Sequence, residues 1–590
     1  MSLGSQDLSS IQRPTKPFLA VPTTEGLFQL ILAVYFLVCA HYTFPNFGGY
    51  GLTLPANYVA WMMMSILIGL GLWQWARARA LMVTPQLILF WLGGLVLTLP
   101  LLAPSIEDLS LAGPRVAALI AGLLLYTAIL QFRVTSAIWQ QLLPLILAGA
   151  VLQSLIGLVQ YYVLEPGNFM GYNTANNRPN GTFQQVNVMA SFVATGFAIS
   201  LFLALMPQEK PVSRFVQTLL MMMAFSGPLL LVVIQSRTGQ LAGLAVLILS
   251  LPLILKTQAL SKPFNKAWLG LATLGLIMGL IALNSSVEGV KRGADIYYSD
   301  PGERVAMYEG SLDVIRQAPL FGAGYGQFES AWRAQHAADA SPPGNVIQHL
   351  HALSHPHNET LLWVVEGGLV AFIGLLLLAA GFLTTLFRLP WATSLAGLAL
   401  TAPILIHTQT EYPLYHSGLH WITLILLLAF VDTHQSPPKA VAFPRIILPL
   451  SLAFLTPLLV IPFMVTGLQS LAVITQLEAS KPRQYHRLLD VTNPAADMNR
   501  FQWHLWALRL NTALAEGNRQ ELTAYLAWSE KMSRGTPRSP LWVNQIIALR
   551  ALGDFDAAEA KLAEARYLFG DKDDLRPFIG LDRSTRLQIQ

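Results

Sequence analysis

A single cysteine, Cys39, is all that 590 residues carry. That excludes a disulfide framework and a cysteine-based metal site. Charge is scarce as well: Asp, Glu, Lys and Arg make up 12% of the chain, against roughly a quarter in a soluble domain. The net charge of +5 is scattered, not clustered. In an apolar chain this speaks for loop orientation at a membrane and against nucleic acid binding. A cleavable leader is not expected, because the first apolar run is long enough to span and lacks a small-residue cleavage site.

What the chain has is hydrophobicity, at 54% of residues with a mean hydropathy of +0.49. About 20 apolar residues cross a bilayer. Thirteen such stretches are expected, near 25–45, 58–76, 83–103, 114–132, 138–163, 186–206, 215–235, 238–256, 267–285, 358–384, 389–406, 417–433 and 446–470. The expected fold is an all-α polytopic membrane protein. It has a cytoplasmic tail over 1–24, a membrane domain over 25–470 with a large outer loop at 286–357, and a charged helical domain over 475–590.

The charges fix an orientation. With the N-terminus inside, the inner connections carry Arg13, Lys16, Arg77, Arg79, Arg133, Lys210, Arg214, Lys256, Lys262, Lys266, Arg388, Lys439 and Arg445. The short outer loops carry little beyond Arg115, Arg178 and Arg237. This is the positive-inside asymmetry, and a missed helix would invert it downstream. All the polar, motif-like segments then share the outer face: 164–185, 235–239, 286–357 and 407–416. Solvent-facing chemistry belongs there.

Five stretches on that face hold residues suited to chemistry. "SRTGQLAG" places Arg237 at a polar break between two spans, where a guanidinium fork suits phosphate oxygens; a snorkelling arginine is the alternative. "RPNGTFQQVNVMA" brings Arg178, then Gln185 and Asn187 at a helix start, where amides cap the helix or reach into a cavity. "DPGERVAMYEGSLDVIRQAPLFGAGYGQF" opens a helix at Arg304 and ends on a glycine turn with Gly322, Gly324 and Gly326. No strand precedes that turn and its spacing is wrong for a dinucleotide site, so it reads as a tight loop.

"HLHALSHPHNETLLWVVEGG" packs His349, His351, His355 and His357 just before a span, with Asn358 and Glu359 at the helix start. His-x-His spacing can chelate a metal, but no nearby Asp or Cys completes a familiar set. A neutral histidine is the usual general base near pH 7, and a helix N-terminus favours an anion beside it. A histidine-rich interfacial loop is the bland alternative. Lastly, "HTQTEYPLYHSG" offers Tyr412, Tyr415 and His416 as substrate-orienting groups, with an aromatic belt as the alternative for the tyrosines.

At these residues the chain resembles the O-antigen ligase (Wzy-C) superfamily. The shared features are an arginine at an outer break, an outer loop with an Arg-led helix and glycine turn, and a His-Asn pair entering a span. His357-Asn358 is followed by Gly367 and Gly368, with Ala371 where the family often has Gly, Thr or Tyr. Within the superfamily it is most similar to the PglL-type bacterial protein O-oligosaccharyltransferases, through "HYTFPNFGGYGLTLPANYVAW" (His41–Trp61) and the extra C-terminal domain. In that domain "LAEGNRQEL" and "LGDFDAAEA" are weakly similar at a spacing near 36. The second half resembles a tetratricopeptide unit.

The resemblance implies a GT-C-type bundle in a bacterial inner membrane, its active site and C-terminus periplasmic. It implies en bloc transfer of a glycan from undecaprenyl diphosphate to Ser or Thr hydroxyls of a pilin-like protein, with no nucleotide sugar and no metal. An early outer Asp-x-Asp is missing, and Asp571-Lys572-Asp573 lies in the tail. His357 is then the expected base. Arg237, Arg304 and Arg178 are expected to hold the diphosphate, and Gln185, Asn187, Asn358, Glu359, Tyr412, Tyr415 and His416 to orient substrate. The rival readings are an O-antigen ligase acting on lipid A core, an O-antigen polymerase, and a polytopic transporter. The transporter would place charges at mid-membrane in inverted repeats, and the sequence shows neither.

Overall fold

The computed structural model describes residues 23–103, 109–132, 134, 136–205, 212–257, 261–285, 304–340, 353–434, 437–570, 572 and 574–579. His349, His351, Asp571, Asp573, the segment 286–303 and nearly all of the N-terminal tail lie outside them.

Thirteen apolar helices coincide with the thirteen expected spans. They are α1 (Thr24–Leu37), α2 (Pro55–Ala78), α3 (Pro85–Thr98), α4 (Leu109–Leu130), α5 (Ser136–Tyr162), α6 (Val186–Leu205), α7 (Arg214–Val233), α8 (Arg237–Thr257) and α9 (Pro263–Ser285), then α12 (Glu359–Arg388), α13 (Trp391–Thr408), α15 (Gly418–Thr433) and α16 (Ile447–Ala479). Among the described residues twelve are long and apolar enough to cross a membrane, once the 3₁₀ turns that carry α1 on to His41 and α3 on to Leu102 are counted; α15, with 16 residues and no such extension, is shorter. This is a multi-pass, all-α membrane protein. Outside the spans come α10 (Arg304–Gln317), α11 (Phe328–Ala340), the single-turn α14 (Pro413–His416) and a C-terminal group.

Local chemistry sets the helix starts. Thr84 caps α3 by accepting from the Leu87 amide at 3.1 Å, with Pro85 next in line where its missing N–H costs nothing. Helix α6 is buried along most of its length and forms the centre of the bundle. Small residues permit that packing: a side chain at Gly239 of α8 would strike the Ala190 Cβ of α6.

The two ends of the bundle sort the connections as the charges do. At one end, Ala80–Val83 pairs antiparallel with Lys439–Ala442, and the Gln131 side chain bonds the Met82 backbone in both directions. Asp432 accepts there from Thr84 and from Tyr126, each at 2.6 Å. Those connections are the basic ones. At the other end Gln184 reaches Phe44, Asn57 reaches Tyr415, and Ser236 reaches Asn187. Those are the polar, motif-bearing ones.

The glycine turn does more than the sequence suggested. Helix α12 is broken at Gly368, where φ is 62° and ψ is −157°. The turn after α10 docks into that break. Ala323 and Gly324 donate their amides to the carbonyls of Val365 and Glu366 at 2.9 Å, and Leu369 and Val370 donate to Pro319 and Leu320 at 2.8 and 3.2 Å. The backbone groups freed by the break are thus re-satisfied. A Cβ at Gly322, itself at φ +67°, would lie 2.4 Å from the Glu366 carbonyl carbon. Below the break, Leu369–Arg388 supplies twenty residues, about 30 Å of helix and enough to span.

The C-terminal domain is two helical hairpins: α17 (Met498–Glu516) with α18 (Arg519–Gly535), and α19 (Ser539–Leu552) with α20 (Phe555–Phe569). The two internal turns match. Gly517 and Gly553 close the leading helices at φ 65° and 80°, and Asn518 and Asp554 cap the helices that follow. Left-handed glycine then Asx cap is the chemistry behind the repeated sequence. The domain docks on α11 through an Arg538–Glu329 ion pair and the Arg333 guanidinium, 5.5 Å from the Phe569 ring.

Candidate active site

The site gathers on Glu411, in the short connection between α13 and α14. Its carboxylate is 7% exposed and receives four groups from three directions. From the start of α6, Gln185 donates to Oε2 at 2.9 Å and Asn187 donates to Oε1 at 2.6 Å. From α13, His407 Nε2 lies 3.5 Å from Oε2. From the stretch before α12, His357 Nδ1 lies 3.9 Å from Oε1. Burial pushes the Glu411 carboxyl upward, but the His407 hydrogen bond and charge, the Asn187 amide and the His357 charge outweigh it. The group settles below its ordinary value and stays an acceptor.

Backbone geometry aims these groups. His357 has φ 50°, in the left-handed region that a non-glycine residue rarely adopts. Asn358 then caps α12, accepting from the Leu361 amide at 2.9 Å and donating to the Gln409 carbonyl at 3.1 Å. The cap therefore ties the histidine to the Glu411 segment. Gln185 combines both roles open in the sequence. Its Oε1 accepts from the Asn187 and Val188 amides while its Nε2 reaches Glu411.

The break between α7 and α8 closes one side. Gln235 there has φ 53°, Ser236 donates to Asn187 Oδ1 at 2.6 Å, and Thr238 meets Thr410 at 2.9 Å. Arg178 spends its guanidinium on this break, bonding the carbonyls of Ile234 and Gln235 at 2.9 and 3.0 Å. Arg237 follows at the first position of α8 and is exposed.

On the other side His355, 8% exposed, has its ring 4.3 Å from His357 and 3.4 Å from Tyr412. Burial, and then the charges of His357, His416 and Arg304, hold His355 well below the usual imidazole value. Arg304 is thus close enough to act electrostatically on this corner. The Tyr412 ring lies 4.7 Å from that of His416. Burial also lowers His416, against the opposing pull of Glu411.

Two expected residues fall in a neighbouring corner. Glu359 and Tyr415 face Arg115 rather than Glu411, with the Arg115 guanidinium 5.7 Å from the Tyr415 ring. Arg115 also pairs with Glu366, whose other oxygen accepts from the Phe328 amide at the start of α11. Sequence reasoning passed over Arg115, Glu366, Ser236 and, most of all, Glu411. The usable signal was charge: ionisable groups at the ends of apolar helices are costly and rarely idle. Among the described residues no three His, Cys, Asp or Glu side chains converge as a metal site.

Two stretches match known families. Residues 222–376 match the family described as O-antigen ligase. Residues 395–577 match the family described as virulence factor membrane-bound polymerase, C-terminal. The chain belongs to the O-antigen ligase, or Wzy-C, superfamily. The first match carries the α7–α8 break, Arg304 and His357, and the second carries Glu411 and the C-terminal domain. Membership makes the chain a membrane glycan ligase or polymerase, a glycosyl-transfer enzyme acting on a lipid-linked glycan. No curated protein matches the chain.

Proposed function

We propose that the protein moves a preassembled glycan en bloc from undecaprenyl diphosphate to Ser or Thr hydroxyls of a periplasmic, pilin-like protein. The observation that carries the reading is the convergence of His357 with a buried, ionised Glu411 at the end of the bundle that gathers the polar segments. There an imidazole can take a proton at the membrane surface. In the proposed step the acceptor hydroxyl oxygen bonds to the anomeric carbon and its proton passes to His357. The bond from that carbon to the phosphate oxygen breaks, and its electron pair leaves with the lipid diphosphate.

Glu411 faces Nδ1, so it favours the tautomer protonated there and leaves Nε2 as the base. Arg304 and Arg237 supply charge for the departing diphosphate. Arg178 contributes by holding the carbonyls of the α7–α8 break, which places Arg237. Gln185, Asn187 and Asn358 hold the Glu411–His357 pair, Tyr412 and His416 pack beside it, and Glu359 and Tyr415 line the adjoining corner for substrate. The orientation, with the site and C-terminus periplasmic in an inner membrane, rests on the basic residues at the opposite end.

The matches to an O-antigen ligase family and to a polymerase C-terminal region favour a second reading, transfer to lipid A core or to a lipid-linked glycan. One experiment separates them. Purified protein in lipid vesicles receives undecaprenyl-diphosphate glycan with, in turn, a pilin-like protein, lipid A core, and no other acceptor. A glycan mass shift on the protein, in the presence of a chelator, supports the first reading. A shift only on lipid A core, or a ladder of lengthened lipid-linked glycan, replaces it.

A further inference from the structure

The role given to His357 leaves a string of buried polar side chains behind Glu411 without a task. His407, on the last turn of α13, is fully buried. Its Nε2 points to Glu411 Oε2 and its Nδ1 lies 2.7 Å from the Ser191 hydroxyl of α6. That hydroxyl is 3.0 Å from His420 Nε2 on α15, and His420 Nδ1 is 3.0 Å from Ser417 Oγ. Ser191 and His420 are fully buried too. Polar groups at this depth cost stability unless every one is paired.

The carboxylate sets the direction of every bond in the string. Ionised Glu411 only accepts, so His407 turns a protonated Nε2 toward it, and Nδ1 is the atom left to meet the Ser191 hydroxyl. Ser191 then donates to His407. The competing acceptor, the Val188 carbonyl, is farther away at 3.1 Å. With its proton committed, Ser191 accepts from His420 Nε2, which leaves His420 Nδ1 to accept from Ser417. Ser417 Oγ in turn accepts from the His420 amide at 3.2 Å. No donor faces a donor anywhere along the string, and its last acceptor is the oxygen pair that meets His357.

We propose that His407, Ser191 and His420 are positioning residues for glycan transfer, a buried string that keeps Glu411 ionised and aimed at His357. The inference rests on the reading of His357 as the base. The titratable and charged groups facing the Glu411–His357 pair are His407 and His416 from the Glu411 side, and His355 and, through it, Arg304 from the other. Tyr412 lies against both His355 and His416.

The test is the pH profile of glycan transfer in reconstituted vesicles, with kcat and the acceptor KM measured separately. His407→Leu removes the donor to Glu411. The carboxylate then takes up a proton in the working range, so kcat falls about 10–100-fold, the worth of one hydrogen bond to a charged group. Its acid limb moves to higher pH while the acceptor KM stays the same. His407→Gln keeps an N–H donor near the Nε2 position and restores most of the rate. Ser191→Ala, a small change that disturbs packing little, releases the His407 tautomer and gives a shift of the same sign. An unmoved profile in both His407→Leu and Ser191→Ala overturns the string, and so does a loss in His407→Leu that His407→Gln does not recover. If His357→Ala transfers glycan at the wild-type rate, the base assignment has failed instead.

Discussion

Glu411 has the largest claim on the chemistry of any single residue. Its carboxyl is held below the ordinary value, while His355, packed against His357, is held well below the usual imidazole value. An anion next to His357 stabilises the imidazolium that forms when the ring takes the proton. Glu411→Gln removes the anion, so the base is freed at lower pH but is weaker. The acid limb of the pH–rate profile should move down and the plateau should fall. A plateau at the wild-type level would remove Glu411 from the site. In the proposed step the arginines act on the leaving group. Arg237→Ala and Arg304→Ala should each lower transfer about 10²–10³-fold, the scale for losing one preorganised charge donor, and Lys should restore part of it at one of the two. Wild-type turnover in both Ala variants would exclude them.

At the scale of elements, the break in α12 is the fragile joint. Gly322 has both a left-handed backbone and a carbonyl carbon where a Cβ would be, so Gly322→Val cannot keep the docked turn. It should lower the midpoint of thermal unfolding in detergent and reduce transfer, because the turn joins the Arg304 helix to the His357 helix. The Arg115–Glu366 pair fastens the same joint. Arg115→Leu leaves Glu366 buried without its partner, at a cost of about 3–5 kcal/mol. Pairing it with Glu366→Leu should recover part of the loss in the same melt. The helices themselves were legible in the sequence, since an apolar run of spanning length dictates one and basic residues sort its ends. The helix starts at Asn358 and Asn518 follow from capping chemistry and could be read as well. Glu411 could not be placed. Its partner Gln185 lies 226 residues away, and nothing in a loop glutamate announces which distant amides it will meet. The glycine turn was readable as a turn, but its docking on Gly368 depends on packing between segments that periodicity does not connect.

For the whole molecule, the account requires one functional face. The outer loop and the C-terminal domain meet through Glu329 and Arg538, so both must lie in the same compartment. Fusions at Gly293 and Gly570 to a reporter active only in the periplasm should both report, and fusions at Lys210 and Lys439 should not. Opposite results at Gly293 and Gly570 would break the fold as described. The central claim is that glycan transfer happens on this face with His357 as its base. The most direct measurement compares wild-type protein and His357→Ala in the same vesicles, each with lipid-diphosphate glycan and a pilin-like acceptor, following the acceptor by intact mass. The account predicts a loss of about 10²–10⁴-fold, the usual worth of a general base, with unchanged thermal unfolding. Transfer by His357→Ala at the wild-type rate would contradict it.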